Sequence, residues 1–512
     1  MTAQLLVRAE TTKLARLLDL PDPEQLAFLS ELSPAAIRLF REHATDLLFD
    51  RDARRLQRVA AASKLVPAAI SARAAERAFG PVLCAAVAGS VEPAQAISIA
   101  KVLSAPFLAE IAARLDPRRA VDVLAAVPPP LVAAVAAELF ARGDHVTMGR
   151  FVGLVPEPAL RAALPAASDA DLLRIGFLLE DKSSMDPLLA LVEHRIPGVI
   201  RAAYEQNLWA EAIDLLDTVD RANRAKLGDI AATAGPEVLD ALIAAVHELD
   251  AWAALLPVTS AMSPASLATL AARPVVHTEA VLGPILDVAL DHGLWLDLLP
   301  LAAHLPAAPL AFLGGRVAAE PDDDLTGLVR QADAAGLWPA LIPVALAMRD
   351  ADRRRVAALP VLSEPEVLRR IIATLAEHEL WSQGLPLVSA LPEATTTILA
   401  SCLGDLTHDQ LLAALRAAAD SAEIATLVEI ALAQDQPGRA RVLALIDGMD
   451  DLGAVLEALT PETPDLVWNG LHEVRADIPA ALRERLADRA ESCGHPAVAA
   501  ALRAEADTVP GR

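Results

Sequence analysis

The chain has 512 residues, with 44 lysines and arginines against 68 aspartates and glutamates, so its formal net charge is −24 at neutral pH. This excess of negative charge argues against a nucleic-acid binder, which needs a basic face that displaces counterions from phosphate. The three cysteines, Cys84, Cys402 and Cys493, are too far apart in sequence to indicate a disulfide framework or a CxxC metal site. This favours a reducing, cytoplasmic compartment.

The apolar content is high, at 54%, with a mean hydropathy of +0.38. The longest uncharged stretch, residues 251–272, contains Pro257, Pro264 and several serines and threonines. A membrane span needs about 20 predominantly apolar residues in sequence. The first residues reach Glu10 before any apolar run of signal-peptide length. We therefore predict no transmembrane segment, no export and a cytoplasmic location.

Composition also predicts an all-α fold. Ala, Leu, Arg and Glu favour helices, whereas β-branched runs bounded by turn residues are scarce. The 37 prolines are spread along the chain, where they would end long helices. The sequence therefore predicts an α-solenoid, a superhelical array of short helix pairs and triplets.

Residues 1–90 are predicted to form an N-terminal helical region with a basic stripe. Four arginines have the i, i+3, i+4, i+7 spacing that places side chains on one helix face: Arg51, Arg54, Arg55 and Arg58. This region carries 12 basic and 10 acidic residues, so the rest of the chain has an excess of 26 negative charges. The stripe predicts binding of an acidic protein partner or peripheral contact with a membrane surface. The alternative is a solvated face paired with Asp50 and Asp52.

Residues 91–165 contain a 24-residue repeat. Pro93 and Pro106 of the first copy recur as Pro117 and Pro130 of the second, and a third copy follows four residues late. Each copy is predicted to be two short helices, because the second proline falls where one helix must end and another can begin.

The second copy carries an acidic residue, prolines and apolar residues at defined positions: Asp116, Pro117, Ala120, Val123, Leu124, Val127 and Pro128. In this pattern residues 92–164 resemble the cytosolic N-terminal domain of MgtE-type magnesium transporters. The resemblance implies a superhelix of short helix pairs that senses a cation such as Mg²⁺ or binds a partner. The regulatory modules and the transmembrane domain of that family have no counterpart in this sequence, so we expect no transport.

Residues 166–466 are predicted to be 43-residue repeats of the HEAT or armadillo kind. Five of the six tryptophans are spaced by 43 residues: Trp209, Trp252, Trp295, Trp338 and Trp381. Apolar residues recur at fixed offsets on both sides of each tryptophan, with helical spacing. A period of about 40–47 residues with two or three helices is typical of these arrays.

We interpret the tryptophans as the structural core of the repeats rather than as a ligand platform, because the helices of adjacent units would be too far apart for ring stacking. A proline follows five positions after the tryptophan in four copies, which predicts a first helical turn or a kink. Later copies weaken, with Ile424 and then Val467 or Trp468 in the tryptophan position. Residues 467–512 are predicted to be degenerate C-terminal capping helices.

Two further segments are candidate sites. Hard cations such as Mg²⁺ bind carboxylates, and three are adjacent at Asp322, Asp323 and Asp324. Because Pro321 precedes them, an acidic first helical turn is the alternative. The insertion between the second and third 24-residue copies, at residues 143–147, is a candidate binding loop. The alternative is that Gly143 ends a helix and Thr147 caps the next.

No nucleotide-binding, zinc-protease or serine-hydrolase motif occurs in the sequence, so we assign no catalytic residue and no cofactor. The sequence favours a non-enzymatic scaffold whose protein partner binds the four arginines. A cation-responsive regulatory protein and an enzyme on a HEAT-like scaffold are the alternatives. Exposed apolar and arginine side chains would indicate the scaffold, converging carboxylates the cation sensor, and a deep pocket with a perturbed titratable pair the enzyme.

Overall fold

The computed structural model describes residues 2–420, 426, 430, 433–448, 452–457, 459–461, 463 and 465–504. Throughout these residues the regular structure is helical, and no strand occurs among them, so the predicted all-α class is confirmed. None of the described helices combines the length and the apolarity that a membrane span requires. The chain divides into two compact units, residues 1–266 and 267–512.

The first unit comprises helices α1 to α17 and the start of α18. Their bounds are α1 Thr2–Leu17, α2 Pro34–Ser63, α3 Ala68–Ala74, α4 Gly80–Ala88, α5 Pro93–Ala100, α6 Ala105–Arg114, α7 Val121–Ala126, α8 Pro129–Ala141, α9 His145–Phe151, α10 Glu157–Ala163, α11 Asp169–Phe177, α12 Met185–Val192, α13 Ile196–Glu205, α14 Trp209–Leu216, α15 Arg221–Thr233, α16 Pro236–Glu248, α17 Trp252–Thr259 and α18 Pro264–Ala271.

The second unit contains the following helices. Their bounds are α19 Glu279–Asp291, α20 Trp295–Ala302, α21 Ala307–Val317, α22 Asp322–Ala334, α23 Trp338–Ala347, α24 Asp350–Ala357, α25 Pro365–Glu377, α26 Trp381–Val388, α27 Glu393–Cys402, α28 His408–Asp420, α29 Gln436–Asp447, α30 Leu452–Glu457, α31 Asp465–Glu473, α32 Ala480–Ser492 and α33 Pro496–Arg503.

The 24-residue copies each form two short α-helices. The first copy contains α5 and α6, and the second contains a 3₁₀ turn at Pro117–Arg119, α7 and α8. The third copy contains α9 and α10. Prolines stand in the first turns of α5, α6, α8 and α10, where the missing amide hydrogen costs no intrahelical bond.

The 43-residue period appears in the helix boundaries. One helix begins at each tryptophan, a second begins 12 residues later and a third begins 27 residues later. The second helices begin at Arg221, Pro264, Ala307, Asp350 and Glu393, and the third at Pro236, Glu279, Asp322, Pro365 and His408. In the predicted copy with Ile424 at the tryptophan position, Ile424 itself lies outside the described residues, but the next described helix begins at Gln436, again 12 residues later.

The recurrent proline lies inside the tryptophan helices, at Pro257, Pro300, Pro343 and Pro386. Of the two predicted placements, the first helical turn is therefore wrong, and the kink, which needs a proline inside a helix, is the one that remains. These helices begin at the tryptophan itself and are only 8 to 10 residues long, so the proline falls in their second half. Because the proline lies near the end of a short helix, it removes one backbone hydrogen bond but does not divide a long helix.

All five tryptophans of the register are buried, with 1–6% of each residue exposed. Around Trp338 the indole Nε1 donates a hydrogen bond to Asp333 at 2.9 Å, and Arg370 of the following copy binds the same carboxylate. The Arg370 hydrogen bond, assisted by Trp338, holds the pKa of Asp333 below its ordinary value although partial burial opposes this. The indoles are core side chains in this structure.

In the second unit, many helices pack on helices two or three places further along the chain. For example, α20 contacts α22 and α23, and α23 contacts α25 and α26, whereas α32 packs mainly on its neighbour α33. In the first unit, α4, α6, α8 and α10 likewise each pack on the next helix of this series. Helix α1 departs from this order. It contacts both α6 and α14, which are separated by about a hundred residues of sequence.

Candidate partner-binding face of α2

Helix α2 carries the predicted basic stripe. It begins after Ser33, whose side chain accepts a hydrogen bond from the amide of Ala36 at 3.2 Å, and Pro34 occupies its first turn. The helix packs against α1 and α4 and buries Ile37 and Leu56. With 30 residues it is far longer than the helices of the repeats.

All four predicted arginines are exposed on α2: Arg51, Arg54, Arg55 and Arg58. The side chains of Asp50 and Asp52, with which the alternative interpretation pairs them, lie outside the described residues. An exposed row of guanidinium groups can offer several charged hydrogen bonds to carboxylates of another molecule.

The same helix exposes apolar side chains that the sequence analysis did not single out. Leu39 is 55% exposed, Phe40 58% and Leu47 72%. A helical wheel of residues 34–63, at 100° per residue, places these side chains on the side of Arg51, Arg54 and Arg58. With the bounds of α2 known, the same helical wheel identifies Leu39, Phe40 and Leu47 from the sequence.

The opposite side of α2 is held by a buried ion cluster. Arg41 Nη2 lies 2.9 Å from Glu180 Oε1, and Arg41 Nε lies 3.3 Å from Glu10 Oε2. Lys13 Nζ lies 2.9 Å from both Glu10 and Glu180, and Arg38 Nη2 lies 3.0 Å from Glu10 Oε1. Glu10, Lys13 and Arg41 are each no more than 5% exposed. The cluster therefore joins α1 and α2 to the segment that follows α11.

Two groups of this cluster have shifted pKa values. Burial alone would raise the pKa of Glu180, but the cations Lys13, Arg41 and Arg150 outweigh it and hold that pKa below its ordinary value. Burial lowers the pKa of Arg150 although Glu180 opposes it, and Arg150 Nη2 donates to the carbonyl of Leu115 at 3.0 Å. Buried charges of this kind need their partners, because the interior solvates an isolated charge poorly.

The insertion at residues 143–147 belongs to the same region. Gly143 ends α8 with φ = 64°, as predicted. The predicted cap is wrong, because Asp144 rather than Thr147 caps α9: its side chain accepts a hydrogen bond from the Thr147 amide at 3.1 Å. A carboxylate preceding the helix can also pair with a cation, and Arg16 donates to Asp144 at 2.9 Å and to the Thr147 hydroxyl at 2.8 Å. The insertion is thus a structural contact for α1.

His145 forms a second contact in this insertion. Its Nε2 lies 2.6 Å from Asp171 Oδ1. Asp171 also accepts hydrogen bonds from the backbone and the hydroxyl of Ser168, forming the capping box of α11. Although burial opposes it, the hydrogen bonds from Ser168 and His145 lower the pKa of Asp171. The pair therefore links α9 to the start of α11.

The three aspartates proposed as cation ligands form the first turn of α22. Asp322 accepts a hydrogen bond from Arg355 at 2.6 Å, and a helix N-terminus itself favours acidic side chains. Asp323 and Asp324 are exposed. In the part of the chain that the structure describes, no group of three or more His, Cys, Asp or Glu side chains is arranged to hold a metal ion.

Three cavities between helices have almost entirely apolar linings. Two of about 320 and 230 Å³ lie in the first unit, and one of about 180 Å³ lies in the second. A fourth, of about 230 Å³, has a polar lining with Asp144 beside Arg16 and Glu110 beside Arg142. Among the lining residues that the structure describes, there is no serine, cysteine, histidine or lysine.

The cysteines are free thiols in this structure. Cys402 and Cys493 are buried, whereas Cys84 is partly exposed and lines the apolar cavity of about 320 Å³. Burial raises the pKa of the Cys84 thiol, which favours the less nucleophilic protonated form.

No protein-family model, curated protein or solved structure matches the chain. The resemblance of residues 92–164 to the MgtE N-terminal domain therefore stays a prediction from the residues themselves.

Proposed function

We propose that the protein is a non-enzymatic α-solenoid scaffold that binds an acidic protein partner through Arg51, Arg54, Arg55 and Arg58. The observation that carries this proposal is the placement of four exposed guanidinium groups on one long helix of a strongly acidic chain. The order of helix contacts within each unit and the 43-residue spacing of the helix starts support the solenoid architecture.

The arginines act by attracting and orienting the partner. Charges at the rim of an interface mainly raise the association rate, and salt screens their effect. The excess of 26 negative charges elsewhere on the chain repels an acidic partner from other surfaces, so productive encounters concentrate on the stripe.

The test replaces all four arginines by serine and compares capture of binding partners from the native cell over a range of salt concentrations. The variant is expected to lose an acidic partner at low salt while keeping the helicity and melting temperature of the unaltered chain, since exposed arginines contribute little to folding. Recovery of the same partners at every salt concentration would contradict the proposal.

The matched control removes four exposed arginines of the second unit: Arg316, Arg330, Arg349 and Arg354. It changes the net charge by the same amount and breaks ion pairs made by exposed arginines, such as Arg316 with Asp287 and Arg330 with Glu364. It is expected to keep the partner. Equal loss in both variants would assign the effect to net charge rather than to the stripe.

A further inference from the structure

Exposed apolar side chains continue the basic stripe along α2. Leu39, Phe40 and Leu47 are more than half exposed, and they occupy the helical turns before Arg51. At 100° per residue, these three side chains and those of Arg51, Arg54 and Arg58 fall within a sector of about 120°. The buried residues Ile37, Arg41, Leu56 and Ala60 fall outside that sector. We call these six exposed residues the α2 face.

The apolar and basic parts of the α2 face are separated along the helix axis rather than around it. The apolar part, which also includes exposed His43, extends from Leu39 to Leu47, and the basic part extends from Arg51 to Arg58. The total length is about 29 Å at 1.5 Å per residue. A complementary surface must therefore be a narrow rod, apolar over one half and acidic over the other.

This separation argues against a membrane surface. A helix that lies in a bilayer interface buries an apolar face, and its basic residues flank that face closer to the headgroups. On α2 the apolar and basic side chains point in the same direction. Burying Phe40 and Leu47 in acyl chains would therefore bring Arg54 and Arg58 to the same depth, which is unfavourable for charged groups.

We propose that the α2 face binds an amphipathic helix of a partner protein, with apolar side chains over Leu39, Phe40 and Leu47 and carboxylates over Arg51, Arg54 and Arg58. This inference rests on the proposed function and names its partner class. Apolar contacts supply the binding energy at the centre of such interfaces, and the charge pairs fix direction and register. The partner helix runs antiparallel to α2, because its N-terminal half then carries the carboxylates, which its own dipole also stabilises.

The test uses the full chain and two synthetic helical peptides of about 20 residues, the length that spans the face. Both have the same composition and one amphipathic face. The first carries glutamates in its N-terminal half and leucines in its C-terminal half, and the second carries them in reverse order. The first is expected to bind at least about 10-fold more tightly than the second, the discrimination that removing a few favourable contacts produces.

Two variants separate the halves of the face. Phe40→Ser with Leu47→Ser is expected to weaken binding of the first peptide by at least about 10-fold at any salt concentration. Arg51→Ser with Arg54→Ser and Arg58→Ser is expected to weaken it at low salt and to have less effect as salt rises. The matched control, Val102→Ser with Val121→Ser, alters exposed apolar residues outside the face and is expected to leave binding unchanged.

The other outcomes overturn the inference. Binding of neither peptide, or equal binding of both, would do so. So would binding to phosphatidylcholine–phosphatidylserine vesicles that both α2 variants abolish, or a concentration-dependent dimer that Phe40→Ser with Leu47→Ser abolishes. If only the arginine variants lose the native partner and the apolar variant changes neither peptide nor partner binding, the proposed function stands and this inference fails.

Discussion

A left-handed residue precedes each of the five tryptophans by two positions. These residues have φ between 51° and 69°: Asn207, Asp250, Gly293, Gly336 and Glu379. The amide of the next residue then donates to a carbonyl five residues back, as Leu337 does to Ala332 at 2.9 Å. This is the Schellman ending of a helix, and it turns the chain sharply into the tryptophan helix.

The residue types at this position predict opposite effects of two substitutions. Glu379→Gly should stabilise the fold by up to about 1 kcal/mol, because glycine adopts a positive φ without the steric cost of a Cβ atom. Gly336→Ala should destabilise the fold by about 1–2 kcal/mol, because a residue with a Cβ atom is strained at this positive φ. A clash with neighbouring atoms does not contribute, since an added Cβ atom meets no other atom within 4 Å. Urea denaturation measures both effects.

A substitution inside a helix provides the control for this pair. Ala373→Gly, at an exposed position in α25, should cost about 1 kcal/mol because glycine is a poor residue in a helix interior. A loss of stability for Glu379→Gly similar to that for Ala373→Gly would contradict the proposed role of the left-handed position.

The ion cluster helps to attach α1 and α2 to the rest of the first unit. The apolar cluster between these two helices contains Val7, Leu14 and Ile37. Farther along α2, Leu56 and Ala60 pack with Val87 of α4. The contact with Glu180 is instead ionic and largely buried. Removing one partner of such a cluster leaves uncompensated charge, which is more costly than the intact cluster is favourable.

Glu180→Gln should therefore lower stability at neutral pH by about 3 kcal/mol. The folded-state pKa of Glu180 is below its ordinary value of 4.5, so its ionised form contributes stability above pH 4.5. That contribution falls as the pH falls below 4.5 and is lost through the folded-state pKa. The difference between the original chain and the variant should accordingly narrow in acid, as measured by denaturation at a series of pH values.

Glu157→Gln is the matched control, because Glu157 pairs with Arg161 at the surface with both side chains about two-thirds exposed. It should change stability by less than about 0.5 kcal/mol at any pH. An equally large effect of both substitutions would show that buried charge is not what makes Glu180 important.

The helices and the positions where they begin and end were predictable from sequence, because proline, glycine and apolar periodicity act on local structure. The ion cluster was not, because Arg41 and Glu180 are 139 residues apart and neither repeat pattern connects them. The exposed arginines followed from their helical spacing. The apolar half of the α2 face required the bounds of the helix, since leucine and phenylalanine are as frequent on buried faces.

The period of 43 residues places corresponding residues of successive repeats at the same positions in their helices. Three helices of each repeat begin at the same offsets from the tryptophan, and the left-handed turn precedes each tryptophan helix. In a solenoid, each repeat gains its stability from its own residues and from its two neighbours. If the repeats form the proposed solenoid, removing one repeat lets its two neighbours make contacts of the same kind with each other.

Deletion of residues 252–294 tests this property. It joins Ala251 to Trp295 in place of Trp252, so the helix that follows the junction begins with the same residue type at the same offset. The shortened chain should keep its fractional helicity by circular dichroism and unfold cooperatively at a modestly lower temperature, since one interface between repeats is lost. Deletion of residues 252–284 instead joins Ala251 to Ile285, breaks the register and should abolish cooperative unfolding. If the two shortened chains unfold with the same cooperativity, the 43-residue period does not define the packing unit of the fold.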